Sequence, residues 1–280
     1  MKHASAKSRF VIGIIVLFGL LAAACSPAAT PTPAAVPQQK VVASGSGGAT
    51  TVVKYLASAY KQNHADMAFE FLSGAGTAGG VKGVLEGQLD LGTMSRAPKE
   101  SELADGIKFA ALGNERVAVV TSSDLAVPQL TGAQVNDIYR GKIKNWSEVG
   151  GPNAPISVLA RDEEETLTQI LRAGIFGKEP FPADVVVLTS AGDMQSALKK
   201  TANAIGYLSY STVGIDKLPF HVVAIDGHDP ANVQDNYPYI RTLGVAYLPS
   251  NAAKVQPFLD FINGSEARAL LTGLSITPVQ

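Results

Sequence analysis

Two stretches of the chain, SGSGGATT at 44–51 and SGAGTAGG at 73–80, share one construction. Each follows a short apolar run, opens a helical pattern, and consists of little besides Gly, Ser, Thr and Ala. Amides at a helix N-terminus point outward at the positive end of the helix dipole, and glycine lets an anion approach that backbone closely. Ser44, Ser46, Thr50, Thr51, Ser73 and Thr77 add hydroxyl donors, and Ser95-Arg96 closes the next apolar run. Such a set could hold a small oxyanion through neutral donors, leaving little uncompensated charge when empty. The bland alternative is helix capping and turn formation, which favour the same residue types. Gly74, Gly76 and Gly79 also spell G-x-G-x-x-G between a strand and a helix, the context of a dinucleotide fingerprint. The following strand, however, ends in Ser95-Arg96 rather than in an acid for a ribose. That reading also leaves the first Gly-rich loop unexplained, so it ranks well below the anion site.

Other chemistry is thinly represented. His3, His64, His221 and His228 are scattered without metal-ligand spacing, and no G-x-S-x-G elbow or Walker A lysine is present. No catalytic residue, metal or cofactor is expected. A formal net charge of -1 gives no overall basic excess for nucleic acid, so any charged site must be local. A content of 46% hydrophobic and 17% charged residues in 280 is that of an ordinary globular chain, enough for one large domain or two modest ones.

The elements that must carry these loops follow from the hydrophobic pattern. KVVAS, AFEFL and DLGTMS read as strands that alternate with helices through TVVKYLASAY, AGGVKGVLEG and KESELAD. KFAALG and RVAVVTS read as two further strands. A second block starts near Ser122-Ser123. Its helix LTGAQVNDIYRG has Thr131 as N-cap and Gly141 as stop, and ISVLA, DVVVLTS and AIGYLS alternate with two more helices. HVVAID, YIRTLGVAY and closing helices in AKVQPFLDFING and SEARALL complete the chain. The alternation predicts an α/β fold with a largely parallel sheet.

The first 25 residues read as an export signal. Lys2, Lys7 and Arg9 precede an apolar segment that ends in Ala22-Ala23-Ala24-Cys25. Cys25 is the chain's one cysteine, so it has no intramolecular disulfide partner, and its place suits lipidation. A plain signal peptide cut nearby and an uncleaved anchor are the alternatives. Residues 26–39 are rich in Pro, Ala and Thr and read as a semi-extended tether. Each version puts the folded part outside the cytoplasmic membrane.

Gly76-Thr77-Ala78-Gly79-Gly80-Val81-Lys82, the LEGQLDLG after it and Ser95-Arg96-Ala97-Pro98 resemble the phosphate-binding proteins of bacterial ABC importers. IYRGKIKNWSEVGG, AIGYLSYS, the DGHDP…YPYIR stretch and VQPFLDFING extend the resemblance over roughly residues 40–280. It implies a two-lobed periplasmic-binding-protein fold (type II) with two hinge strands and no catalysis. Lobe one would comprise 40–121 plus 217–280 and lobe two 122–216, with hinges near Ser122-Ser123 and Thr212–Asp216. The implied protein is a monomeric lipoprotein that delivers phosphate or a related oxyanion to ABC transporter membrane subunits.

Carried over by position, the resemblance assigns Ser46, Thr50, Thr77, Ser95 and Arg96 to the lobe-one half-site, and Arg161 and Thr166 to lobe two. It breaks at one point. Where family members place a neutral loop ending Gly-Ser-Gly-Thr, this chain reads RDEEET, with Glu163, Glu164 and Glu165 between Arg161 and Thr166. Those acids either face solvent, accept the proton of a protonated phosphate, or meet a different ligand. A binding or sensor lipoprotein of the same fold is therefore the alternative function, and a nucleotide-dependent enzyme a remote one.

Overall fold

The computed structural model describes residues 39–279 except 75 and 128. The expected signal segment, Cys25 and nearly all of the tether lie outside the described residues. No helix among the described residues is long and apolar enough to cross a membrane.

The chain begins β1 (Gln39–Gly45), α1 (Gly47–Tyr60), β2 (Met67–Phe71), α2 (Gly76–Leu85), β3 (Leu91–Met94), α3 (Glu100–Ala104) and β4 (Lys108–Thr121). It continues through β5 (Gln129–Leu130), α4 (Gly132–Tyr139), β6 (Ser157–Arg161), α5 (Thr166–Leu171), β7 (Val186–Leu188), α6 (Ala191–Lys200) and β8 (Ala204–Ser209). It closes with α7 (Tyr210–Ile215), β9 (His221–Ile225), β10 (Ile240–Tyr247), α8 (Ala252–Asn263) and α9 (Ser265–Gly273). Thr131 caps α4 as expected, its hydroxyl accepting from the Gln134 amide at 3.1 Å, and Gly141 ends that turn with φ +66°.

KFAALG and RVAVVTS form one strand rather than two. Gly113, at φ +156°, lets β4 run past an irregularity in its pairing with β10 without breaking. The sheet is mixed, in the order β2-β1-β3-β10-β4-β8-β6-β7. The βαβ units do pair in parallel (β1 with β2 and β3, β6 with β7 and β8), as the alternation predicts. The antiparallel pairings are those of β10, which returns from late in the chain to lie between β3 and β4, and those of β4 with β8 and β9.

β4 changes partners along its length. Lys108–Arg116 pairs with β10, whereas Val117–Thr121 pairs with β8 and, at its end, β9. The core changes at the same point. Leu112 joins Val52, Leu56, Leu243, Val245 and Phe258, while Val117 and Val119 join Val135, Tyr139, Trp146, Tyr207, Val223 and Tyr239. Ala118 and Val120, on the opposite face of the strand, pack with Met194 and Leu198 of α6. Pairing with β4 and β5 carries β9 into the second of these regions, with Val223 and Ile225 in its core. The 212–216 stretch read as a hinge lies in and just after α7. Trp146 is fully buried in that second core and donates its indole N–H to the Asn203 carbonyl at 2.9 Å.

Candidate oxyanion site

The two Gly-rich loops meet. A Cβ on Gly74 would stand 2.8 Å from the Gly45 carbonyl oxygen, and one on Gly80 2.9 Å from the Gly45 Cα. Only bare backbone allows this approach, and it brings the starts of α1 and α2 side by side. Ser46 occupies the N-cap of α1 in an extended conformation, yet its side chain makes no capping bond. Its hydroxyl instead pairs with the Ser95 hydroxyl, while its amide donates to the Thr93 carbonyl at 2.9 Å. The first-turn amides of α1 are thus left without a side-chain cap, which is the condition for receiving an external oxyanion.

The hydroxyls around this point are ordered by a relay. Thr93 donates to the Ser46 carbonyl at 3.3 Å and so accepts from Thr50 at 2.7 Å. The Ser95 amide donates to the Thr77 hydroxyl at 3.1 Å, and Ser44 donates to the Ser73 carbonyl at 2.8 Å. The structure therefore gathers Ser46, Thr50, Thr77 and Ser95 in one cluster, with Ser46, Thr50 and Ser95 buried. Thr50 acts within the relay, holding Thr93, rather than as an outward donor.

Arg96 is engaged elsewhere. Its guanidinium forks onto Glu102 at 2.8 and 2.6 Å and donates to the Ala97 carbonyl at 2.9 Å. Glu102 also accepts from the Lys99 amide at 2.7 Å. These bonds, the Arg96 fork foremost, hold the Glu102 carboxyl below the ordinary value of 4.5, against the opposing effect of burial. A depressed folded-state pKa means the stabilisation is complete above 4.5 and is lost as pH falls through the lower folded value. Thermal melting from pH 3 to 7 is expected to show an acid-side loss that is smaller in Glu102→Gln. Parallel curves for the two proteins would contradict this assignment.

The second set of candidates lies at the end of β6. The Arg161 amide donates to the Tyr207 hydroxyl at 2.7 Å, and that hydroxyl bonds to Thr168 at 2.7 Å. Burial pushes the Tyr207 phenol up to about 12, so it stays neutral and fixes the strand end. The Arg161 guanidinium, 8% exposed, donates to the Leu188 and Thr189 carbonyls at 3.2 Å each. No carboxylate pairs with it among the described ion pairs. A buried guanidinium held only by neutral carbonyls keeps its charge available to an anion.

The three glutamates have separate fates. Glu163 forks Arg172 at 2.6 and 3.0 Å, and Arg172 lies over the Phe181 ring. Glu164 is exposed. Glu165 is the N-cap of α5, its carboxylate accepting from the Leu167 and Thr168 amides at 2.7 and 3.1 Å. Thr166 opens that helix half-buried. The expectation that acids suit a helix N-terminus holds for Glu165, which fills the α5 amides with a charge of the protein's own.

Residue-by-residue reading of the sequence missed one buried group. Arg241 and Glu115 stand opposite each other on β10 and β4, 5% and 1% exposed, and form an ion pair. The signal available was Arg241 inside the apolar pattern YIRTLGVAY; Glu115 fell between KFAALG and RVAVVTS, outside both strands read from the sequence.

The chain matches the family model of the PBP superfamily domain over residues 29–266. It is 27% identical to the phosphate-binding protein PstS of Bacillus subtilis over 98% of this chain and 95% of that protein. It is 24% identical to the protein of the same name from Borreliella burgdorferi over 70% and 75%. A solved putative phosphate ABC transporter substrate-binding protein from Clostridium perfringens, with bound phosphate, superposes with a TM-score of 0.74 at 29% identity. That match covers 86% of this chain and 100% of the other.

Proposed function

Because the chain belongs to the PBP superfamily, among its PstS-like binding proteins rather than among enzymes, we propose that it is an extracytoplasmic receptor which captures phosphate in an interlobe cleft for an ABC importer. The observation that carries the reading is the junction of the two Gly-rich loops, where uncapped α1 amides stand beside the Ser46, Ser95 and Thr77 hydroxyls. Lobe one binds first through these groups. Lobe two then closes with Arg161 and Thr166, and the closed form is what the transporter reads. Arg96, held by Glu102, acts at the rim through its field rather than by direct contact.

The partner change of β4 between Arg116 and Val117 supports one lobe boundary there. The pairing of β9 supports a second just before β10, which moves 217–239 from lobe one to lobe two. Cys25 lipidation and attachment to the membrane's outer face complete the proposal, with phosphate as ligand and transporter subunits as partners.

Calorimetric titration of residues 26–280 with phosphate and with sulfate tests it. Micromolar or tighter binding of phosphate alone is expected. Absence of heat with phosphate, in folded protein stripped of carried-over anion, would sink the assignment.

One observation favours the second reading, a receptor for another ligand: the Glu165 carboxylate already occupies the α5 amides. Glu165→Ser keeps a good N-cap and removes the charge. Under the phosphate reading it strengthens phosphate binding about tenfold, as expected for removing one like charge at moderate screening. Titration of the variant that shows weaker phosphate binding would favour the other ligand class.

A further inference from the structure

The geometry points to Arg241 as a binding cation of this same site, on the hinge side of the cleft, with Glu115 setting how much of its charge an anion feels. The inference rests on the receptor reading above and adds a residue to it. Arg241 Nε donates to the Glu115 carboxylate at 2.7 Å, and Nη2 contacts the same oxygen at 2.6 Å and donates to the Ser209 hydroxyl. The Ser211 hydroxyl donates to the other Glu115 oxygen. The pair is locked from both sides, with side-chain exposures of 3% for Arg241 and 1% for Glu115.

Its position matters more than its burial. A Cβ on Gly48 would overlap Arg241 Nη2 and stand 2.8 Å from Ser209 Oγ. The guanidinium therefore lies against the second residue of α1, the helix whose first-turn amides have no side-chain cap. Glycine at 48 is what admits it. Arg241 Nη1 has no hydrogen-bond partner among the described residues, so donor capacity remains on a side chain that is otherwise enclosed. Arg96, the cation expected there from sequence, is forked by Glu102. An anion at the α1 N-terminus then sees Arg241 with Glu115 behind it, a dipole whose positive end is nearer.

This arrangement predicts opposite signs for two neutralising substitutions. Arg241→Gln is expected to weaken phosphate binding about thirtyfold, and Glu115→Gln, which unmasks the guanidinium, to strengthen it at least about threefold at low ionic strength. A merely structural ion pair predicts no gain from either, because losing one partner of a buried pair only destabilises the fold. Titrations of the full chain and both variants with inorganic phosphate, beside melting temperatures measured without it, read the difference. Phosphate binding by the wild type with no gain in Glu115→Gln overturns this inference alone. A wild type that takes up no phosphate overturns the receptor reading and this inference with it. Where Glu115→Gln does not fold, Arg241→Lys decides: it keeps the charge and is expected to stay within about fivefold of wild type. Equal loss in the Lys and Gln variants overturns the assignment.

Discussion

Gly45→Ala is expected to destabilise the protein by about 4 kcal/mol, lowering its melting temperature by about 10 °C, and to abolish phosphate binding at ligand concentrations that saturate the wild type. Gly45 ends β1 with φ +145°, a conformation side chains rarely adopt. An alanine Cβ there would overlap the Thr93 carbonyl oxygen and stand 2.7 and 2.8 Å from the Thr93 hydroxyl and amide nitrogen. β3 cannot retreat without cost, because the Thr93 carbonyl accepts the Ser46 amide and Gly45 pairs with Thr93 in the ladder. Retreat would also separate Ser46 from Ser95, which links stability to the site. Gly227→Ala separates clash from conformation. It shares a positive φ of +83° but has nothing within 4 Å of the added Cβ, so about 1–2 kcal/mol is expected. Equal thermal shifts in the two variants would contradict the steric account.

Arg161→Met is expected to weaken phosphate binding by about 100-fold or more while changing stability by less than about 1 kcal/mol. The asymmetry follows from its partners. The guanidinium is bound by two carbonyls at 3.2 Å and by no carboxylate, so its removal leaves no orphaned charge behind. The strand end persists, since the Arg161 backbone amide, not the side chain, bonds to Tyr207. Arg161→Lys, which retains charge without the planar fork, is expected to lose about tenfold. Titration calorimetry with parallel melts checks both. A large drop in melting temperature with affinity preserved would make Arg161 a structural residue.

Much of the Ser/Thr cluster at the two Gly-rich loops was legible because its determinants are local. Gly, Ser and Thr before an amphipathic run specify a loop and a helix start within a few residues, and the observed α1 and α2 begin there. The fate of the RDEEET segment was not. Three consecutive acids are equivalent in sequence, and backbone geometry distinguishes them: Glu165 sits at the N-cap with φ -76° and ψ 133°. Glu163 is taken by Arg172, nine positions on, with α5 spanning the distance between them. Arg96 misled for a similar reason, since Glu102 meets it only because the short helix α3 turns back.

The sequence by itself determined most of the helices and strands and the Gly-rich loops from which α1 and α2 start. All depend on interactions spanning a few residues, where residue type decides. The tertiary structure alone decided which cations remain available and which are paired. Arg241 and Glu115 lie 126 positions apart and meet because β10 returns to pair with β4. Ion pairing falls off with distance in space, and spatial distance is set by strand order, which periodicity does not encode.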